Sequence, residues 1–285
     1  MEASTYRSPL AEDATAGVVS VVTGGGTGIG RATALELART GSAVAICGRR
    51  AGPLESTCDA IESAGGTCLA MPADVREPHD VAAFADAVLD RFERVDAVVN
   101  NAGGQFAATP EQITTKGWRA VHRLNLDAVW DVTRTFAERS MIPNRSGLVV
   151  FVGFSPRRGM PFMVHSSAAR AALENLAGGL AIEWSRYRIR AVCVACGAID
   201  TEGFRGYGDA WIEEATKTVP LGRLGRAEEV ASTIAFLASS GGAYITGSTV
   251  VVDGGADAWG LGIAPPAPEG GPAGGDGGPA ARPER

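Results

Sequence analysis

Short β-branched runs alternate along this chain with segments whose apolar residues recur at helical spacing. Val18–Thr23, Ala43–Cys47, Thr67–Pro72, Ala97–Asn100, Gly147–Val152, Arg190–Ala195 and Thr249–Val252 read as strands. Between them, Val81, Phe84, Ala85, Val88, Leu89 and Phe92 fall on one helical stripe. Leu173, Leu176, Ala177, Leu180, Ala181 and Trp184 form another. Strict alternation of strand and helix predicts βαβ units. The expected fold is therefore α/β, one Rossmann-like doubly wound parallel sheet of seven strands with helices on both faces. Ligands in such sheets lie at the carboxyl ends of the strands, where the strand order reverses.

Composition sets the limits of the folded unit. Residues 1–16 are polar and aperiodic, and are expected to form a flexible tail. Residues 261–285 hold seven Gly and six Pro and too little apolar surface to offset ordering, so a disordered tail is expected there. Residues 17–260 remain as one domain. Hydrophobic residues make up 45% of the 285, enough for a sizeable core. A net charge of −6 argues against a nucleic-acid face. No apolar run reaches the roughly 18 residues of a membrane span, and the first residues lack a secretory apolar region. The chain ends without the Ser-Lys-Leu peroxisomal address. Five cysteines, an odd and sparse set, suit a reduced cytoplasmic protein. Cys193 and Cys196 form a C-x-x-C with no second pair, which reads as strand packing; no metal is expected.

The first strand runs into Thr23-Gly24-Gly25-Gly26-Thr27-Gly28-Ile29-Gly30, and Arg31 onward opens a helix. Glycines at these points allow a tight turn and let backbone approach a pyrophosphate at the helix N-terminus. The second strand ends Gly48-Arg49-Arg50. An acid there would grip a ribose 2′-hydroxyl, whereas arginine accommodates a 2′-phosphate, so NADPH is the expected cofactor.

With Asn100-Asn101-Ala102-Gly103 after the fourth strand, this spacing resembles the short-chain dehydrogenase/reductase family over the whole folded unit. The resemblance implies that Asp74 and Val75 contact adenine, and that Gly24, Thr27, Gly28, Ile29, Gly30, Asn101, Ala102 and Gly103 line the cofactor. Gly197, Ile199 and Thr201 match the nicotinamide loop, with Cys196 where the family usually has proline. A homotetramer is also implied. The small residues Ala168, Ala169, Ala172, Gly178 and Gly179 suit either a helix pair between subunits or packing within one.

The family's catalytic pattern breaks here. Its members use a Tyr-x3-Lys pair on the long helix, and this chain has Ser166 and Arg170 at those positions. A serine is too weakly acidic to protonate an alkoxide as that phenol does, and arginine cannot deprotonate. Carbonyl reduction is disfavoured. Reduction of an activated C=C bond needs chiefly fixed hydrogen-bond donors on an enolate oxygen, and Asn125, Ser155, Ser166 and Arg170 are the candidates. The stretches Gly104-Gln105-Phe106, Val164-His165-Ser166 and Tyr207-Gly208-x-x-Trp211 resemble the peroxisomal trans-2-enoyl-CoA reductases, and Ser166-x3-Arg170 is similar to the 2,4-dienoyl-CoA reductases. That likeness implies an oxidoreductase acting on an acyl thioester with NADPH. Those dienoyl reductases place a separate tyrosine where Ser155 stands here.

Gln105, Arg157, His165, Tyr207 and Trp211 are candidate substrate contacts. His165 reads either as a proton donor or as a cap or pocket wall. Arg157 and Arg158 read either as CoA phosphate ligands or as surface arginines. Tyr207 and Trp211 read either as a substrate lid or as packing. An unusual ketoreductase and a non-reducing NADPH-binding protein remain the competing functions.

Overall fold

The computed structural model describes residues 6–155, 157 and 159–260. The tail expected over 261–285, and Arg158, lie outside the described residues. Seven strands form one parallel sheet: β1 (Val19–Thr23), β2 (Ala43–Gly48), β3 (Thr67–Pro72), β4 (Ala97–Asn100), β5 (Gly147–Phe154), β6 (Ile189–Cys196) and β7 (Thr249–Val252). Their order is β3-β2-β1-β4-β5-β6-β7. All seven expected strands are present. β5 and β6 run past their expected ends because Gly153 and Phe154 pair with Ala195 and Cys196. Pairing to a neighbour extends a strand where local propensity gives no signal.

The helices are α1 (Gly28–Arg39), α2 (Ala51–Ser63), α3 (Pro78–Phe92), α4 (Thr115–His122), α5 (Ala128–Phe136), α6 (Val164–Glu183), α7 (Asp209–Lys217) and α8 (Ala227–Ala238). Two cores follow from the sheet's alternation of side chains. On one face Val21, Val98, Val149 and Phe151 meet α3, α5 and α6 through Phe84, Phe136 and Leu173. On the other, Val22, Val99, Val150 and Val194 meet α1, α2 and α8 through Leu37, Leu54 and Ile234. Phe84 and Phe136 pack edge to face at 6.0 Å. No helix among the described residues is long and apolar enough to cross a membrane.

Cys193 and Cys196 belong to opposite cores. Their odd spacing on a strand separates them, and burial pushes both thiols up to about 12. They are packing residues.

Residues 6–16 differ from the expected loose tail. Tyr6 donates to Ser232 at 2.7 Å, and Arg39 Nη2 to the Leu10 carbonyl at 3.1 Å. Buried Thr15 meets Thr40 Oγ1 at 2.7 Å. Hydroxyl and main-chain pairing holds this arm, and such pairing leaves no hydropathy pattern.

Candidate active site

β1 pairs with β2 on one side and β4 on the other, so the strand order reverses there. A cleft of about 520 Å³ opens at the carboxyl ends, from the glycine turn to the segment after β6. Gly24 (φ +68°) and Gly28 (φ +52°) take left-handed backbone, which glycine adopts without strain. Asn101 Nδ2 donates to the Thr23 carbonyl at 2.9 Å, and the Asn101 and Ala102 amides donate to Thr23 Oγ1. Asn101 thus ties the turn shut. At Gly30 a Cβ would strike the Gly24 carbonyl and Asn101 Nδ2. No side chain caps α1 and its first turn holds no acid, so its leading amides face the cleft uncompensated. These features fit the pyrophosphate of a dinucleotide.

At the adenine end, Arg49 and Arg50 line the cleft and are exposed. Asp74 lines the same wall. The Arg76 guanidinium, at 2.9 Å through Nε, holds the Asp74 carboxyl down at about 2. Val75, Thr27 and Ile29 also face this half, as do Gly197, Ile199 and Thr201 farther along. Thr201 Oγ1 accepts from the Phe204 amide and starts the helical turn Glu202–Arg205.

Asn125 sits in a π-helical turn, Arg123–Asp127, between α4 and α5. Such turns recur at functional sites. Its Nδ2 donates to the Gly104 carbonyl at 2.7 Å and the Val121 carbonyl at 2.8 Å, and its Oδ1 accepts from the Gly104 amide. Every polar atom of the Asn125 side chain is spent on backbone, and it is not in the cleft wall. It positions the Gly103–Gln105 segment.

Ser166 is fully buried and also absent from the wall. Its Oγ donates to Gln105 Oε1 at 2.8 Å. Gln105 lines the cleft, and with its oxygen occupied it presents its NH₂ as a donor. Ser166, expected at the substrate, thus lies behind Gln105 and outside the wall. Arg170 lines the cleft as well. Its Nη1 donates to the Val152 carbonyl at 2.6 Å, while its Nε is buried without a partner among the described residues. Burial lowers its pKa, yet a guanidinium keeps its charge. A Cβ at Gly103 would strike Arg170 Nη2 and Asn125 Oδ1, so only glycine fits between them.

Ser155 lines the cleft but donates its proton to Asp253 Oδ2. Arg157 is held by Asp257, through Nε and Nη2 at 3.1 Å each, and by Glu174 at 3.3 Å. Two carboxylates pair with it and it is not in the cleft wall, which favours the surface-arginine reading over the phosphate ligand. His165 is fully buried, edge-on to Phe106 at 4.4 Å, with both ring nitrogens unpartnered among the described residues. Burial is the largest cause of its lowered pKa. It is packed behind the wall, which removes its expected substrate contact. Tyr207 and Trp211 do line the cleft, stacked at 5.6 Å, and Phe162 meets Trp211 at 6.2 Å.

Met160, Met163, Phe204 and Leu124 complete the wall and are not among the residues the sequence singles out. Isolated apolar residues in loops give no periodic signal. Asp253 and Asp257 escape notice as partners because they lie about a hundred residues from Ser155 and Arg157.

A glycine turn, open helix amides and a half-buried arginine at the carboxyl edge of a doubly wound sheet fit a nicotinamide-dependent oxidoreductase. The pattern of the family described as Enoyl-(Acyl carrier protein) reductase matches residues 24–257. The chain belongs to the short-chain dehydrogenase/reductase family, among members similar to the 2,4-dienoyl-CoA reductases. It is 34% identical to probable 2,4-dienoyl-CoA reductase 3 of Caenorhabditis elegans, over 87% of this chain and 83% of that protein. It is also 34% identical to 3-oxoacyl-[acyl-carrier-protein] reductase FabG of Pseudomonas aeruginosa, over 84% and 97%. Among solved structures, the citronellol catabolism dehydrogenase AtuB of Pseudomonas aeruginosa superposes with a TM-score of 0.79 at 36% identity, covering 88% of this chain and 100% of that one.

Proposed function

We propose that this protein reduces the C=C bond of an enoyl thioester with NADPH. One observation carries the reading. The carboxamide of Gln105, its oxygen accepting from Ser166, lines the same cleft as Arg170, a half-buried cation whose Nη1 donates to the Val152 carbonyl. Hydrogen-bond donors on one cleft wall suit an oxygen that gains negative charge, as a thioester oxygen does when hydride reaches Cβ. Gln105 binds that oxygen, Ser166 and Asn125 position Gln105, and Arg170 stabilises the charge and holds the nicotinamide side of the cofactor. The cofactor, when bound, supplies the hydride. Arg49 and Arg50 hold a 2′-phosphate, which favours NADPH over NADH. Met160, Met163, Tyr207 and Trp211 enclose the acyl chain and exclude water.

The likeness to FabG favours a second reading, reduction of a 3-oxoacyl thioester. It fits less well. Ser166 keeps its proton for Gln105, and Arg170 has none to release. We further propose a homotetramer in the cytoplasm. A side chain added at Gly178 or Gly179 would meet nothing within 4 Å, and Ile182 beside them is exposed, so α6 is open to a second copy. All five cysteines are free thiols, in keeping with a reducing compartment. NADPH consumption with crotonyl-CoA, a long-chain enoyl-CoA, a dienoyl-CoA and acetoacetyl-CoA, with product masses, tests the reaction. Turnover of the enoyl substrates supports it. Faster turnover of acetoacetyl-CoA favours the second reading, and NADPH binding without any turnover refutes both.

A further inference from the structure

Reduction of an enoyl thioester needs a proton at Cα, and the usual acid of the long helix is missing. Most other candidates at the cleft are committed. Ser155 and Ser166 give their protons to Asp253 and Gln105. Thr218 Oγ1 donates to the Ala215 carbonyl at 2.7 Å. Burial pushes the Cys196 thiol up to about 12. Asp74 is ionised beside Arg76. His165 is outside the wall.

The chain has four tyrosines. Tyr6 is spent on Ser232, Tyr187 lies under the Arg186 guanidinium at 4.8 Å, and Tyr244 is fully exposed. Tyr207 alone of them lines the cleft. Its ring is held by the stack on Trp211 at 30° between planes, and by Phe204 at 6.2 Å. That packing fixes the ring without using the hydroxyl. Arg170 lines the same cleft.

We propose that Tyr207 is the general acid of this site, supplying from the segment before α7 the proton that Ser166 and Arg170 cannot release. The proposal rests on the enoyl thioester reading. Hydride, which NADPH when bound would release from its C4–H bond on oxidation to NADP⁺, forms the new C–H bond at Cβ, and the π pair moves to give the enolate held by Gln105 and Arg170. The enolate Cα takes the phenol proton, the tyrosine O–H bond breaks, and the phenolate regains a proton from water once product leaves. A short-chain reductase that has lost its helix tyrosine thereby keeps an equivalent acid on a different element.

The test compares Tyr207→Phe, which keeps the stack on Trp211, with the unaltered full chain. The readouts are kcat and KM for crotonyl-CoA and the Kd of NADPH by fluorescence. Loss of a general acid costs about 10²–10⁴ in rate. The expected result is a kcat lowered at least a hundredfold, with KM and the NADPH Kd within twofold. Trp211→Phe is expected to raise KM more than it lowers kcat. A kcat for Tyr207→Phe within threefold of the unaltered protein overturns the proposal. So does a fall confined to KM or NADPH affinity, which marks a packing role. If the unaltered protein reduces none of the enoyl and dienoyl thioesters, the thioester reading fails by itself. Tyr207→Phe is then compared on whichever alkene or ketone is reduced, and reduction of none removes the acid role too.

Discussion

Ser166, at the position of the family's catalytic tyrosine, points its hydroxyl at Gln105 Oε1, 2.8 Å away, and does not itself line the cleft. In the function proposed above, Ser166 is a positioning residue and the group that meets substrate is Gln105, 61 positions earlier in the chain.

The two should therefore differ in a mutation series. Removing an oxyanion donor costs about 10²–10³ in rate, so Gln105→Ala is expected to lower kcat for crotonyl-CoA by that much. Ser166→Ala loses one neutral hydrogen bond, worth about 0.5–1.5 kcal/mol, and is expected to cost roughly tenfold at most. The double variant should be no worse than Gln105→Ala, since Ser166 acts through Gln105. Additive losses would show that Ser166 meets the substrate itself.

Arg49 is exposed in the adenine half of the cleft and no acid stands at the end of β2. A charge-assisted bond to phosphate is worth about 1.5–3 kcal/mol. Arg49→Asp is expected to weaken NADPH binding at least tenfold, measured by fluorescence titration, with NADH unaffected or improved. Equal affinity of the unaltered protein for both cofactors would contradict the assignment.

Gly103 separates Arg170 from Asn125. Gly103→Ala forces one of them to move, and overpacking of this kind costs about 1–3 kcal/mol. The expected result is a lower melting temperature together with lost turnover. A silent Gly103→Ala would mean that Arg170 and Asn125 can give way without cost.

His165 gives a pH dependence with a defined sign. Burial depresses its pKa in the folded state, so the unfolded chain takes up a proton that the folded chain does not. Its contribution is fully present above the unfolded value of about 6.5 and is lost as pH falls below that. Melting temperature should drop between about pH 7 and pH 5, and His165→Leu should flatten that drop. An unchanged slope in His165→Leu would assign the effect to other groups.

Much of this is legible in the chain because it is local. Seven apolar runs mark seven strands, and the Thr23–Gly30 turn marks the cofactor end, since both depend on neighbours in sequence. The chemistry of the other end depends on distant pairs. Ser155 finds Asp253, Arg157 finds Asp257 and Glu174, and Ser166 finds Gln105. Each pairing reassigns a group that looks free in the sequence. His165 is similar: nothing beside it in sequence says that Phe106 covers it.

The reaction is tested most directly by following deuterium from C4-deuterated NADPH in a mixture of crotonyl-CoA and acetoacetyl-CoA. The expected main product is saturated butyryl-CoA carrying one deuterium at C3, with 3-hydroxybutyryl-CoA formed far more slowly. Label found chiefly in 3-hydroxybutyryl-CoA would contradict enoyl reduction, and would show that the site reduces carbonyls despite the lost tyrosine and lysine.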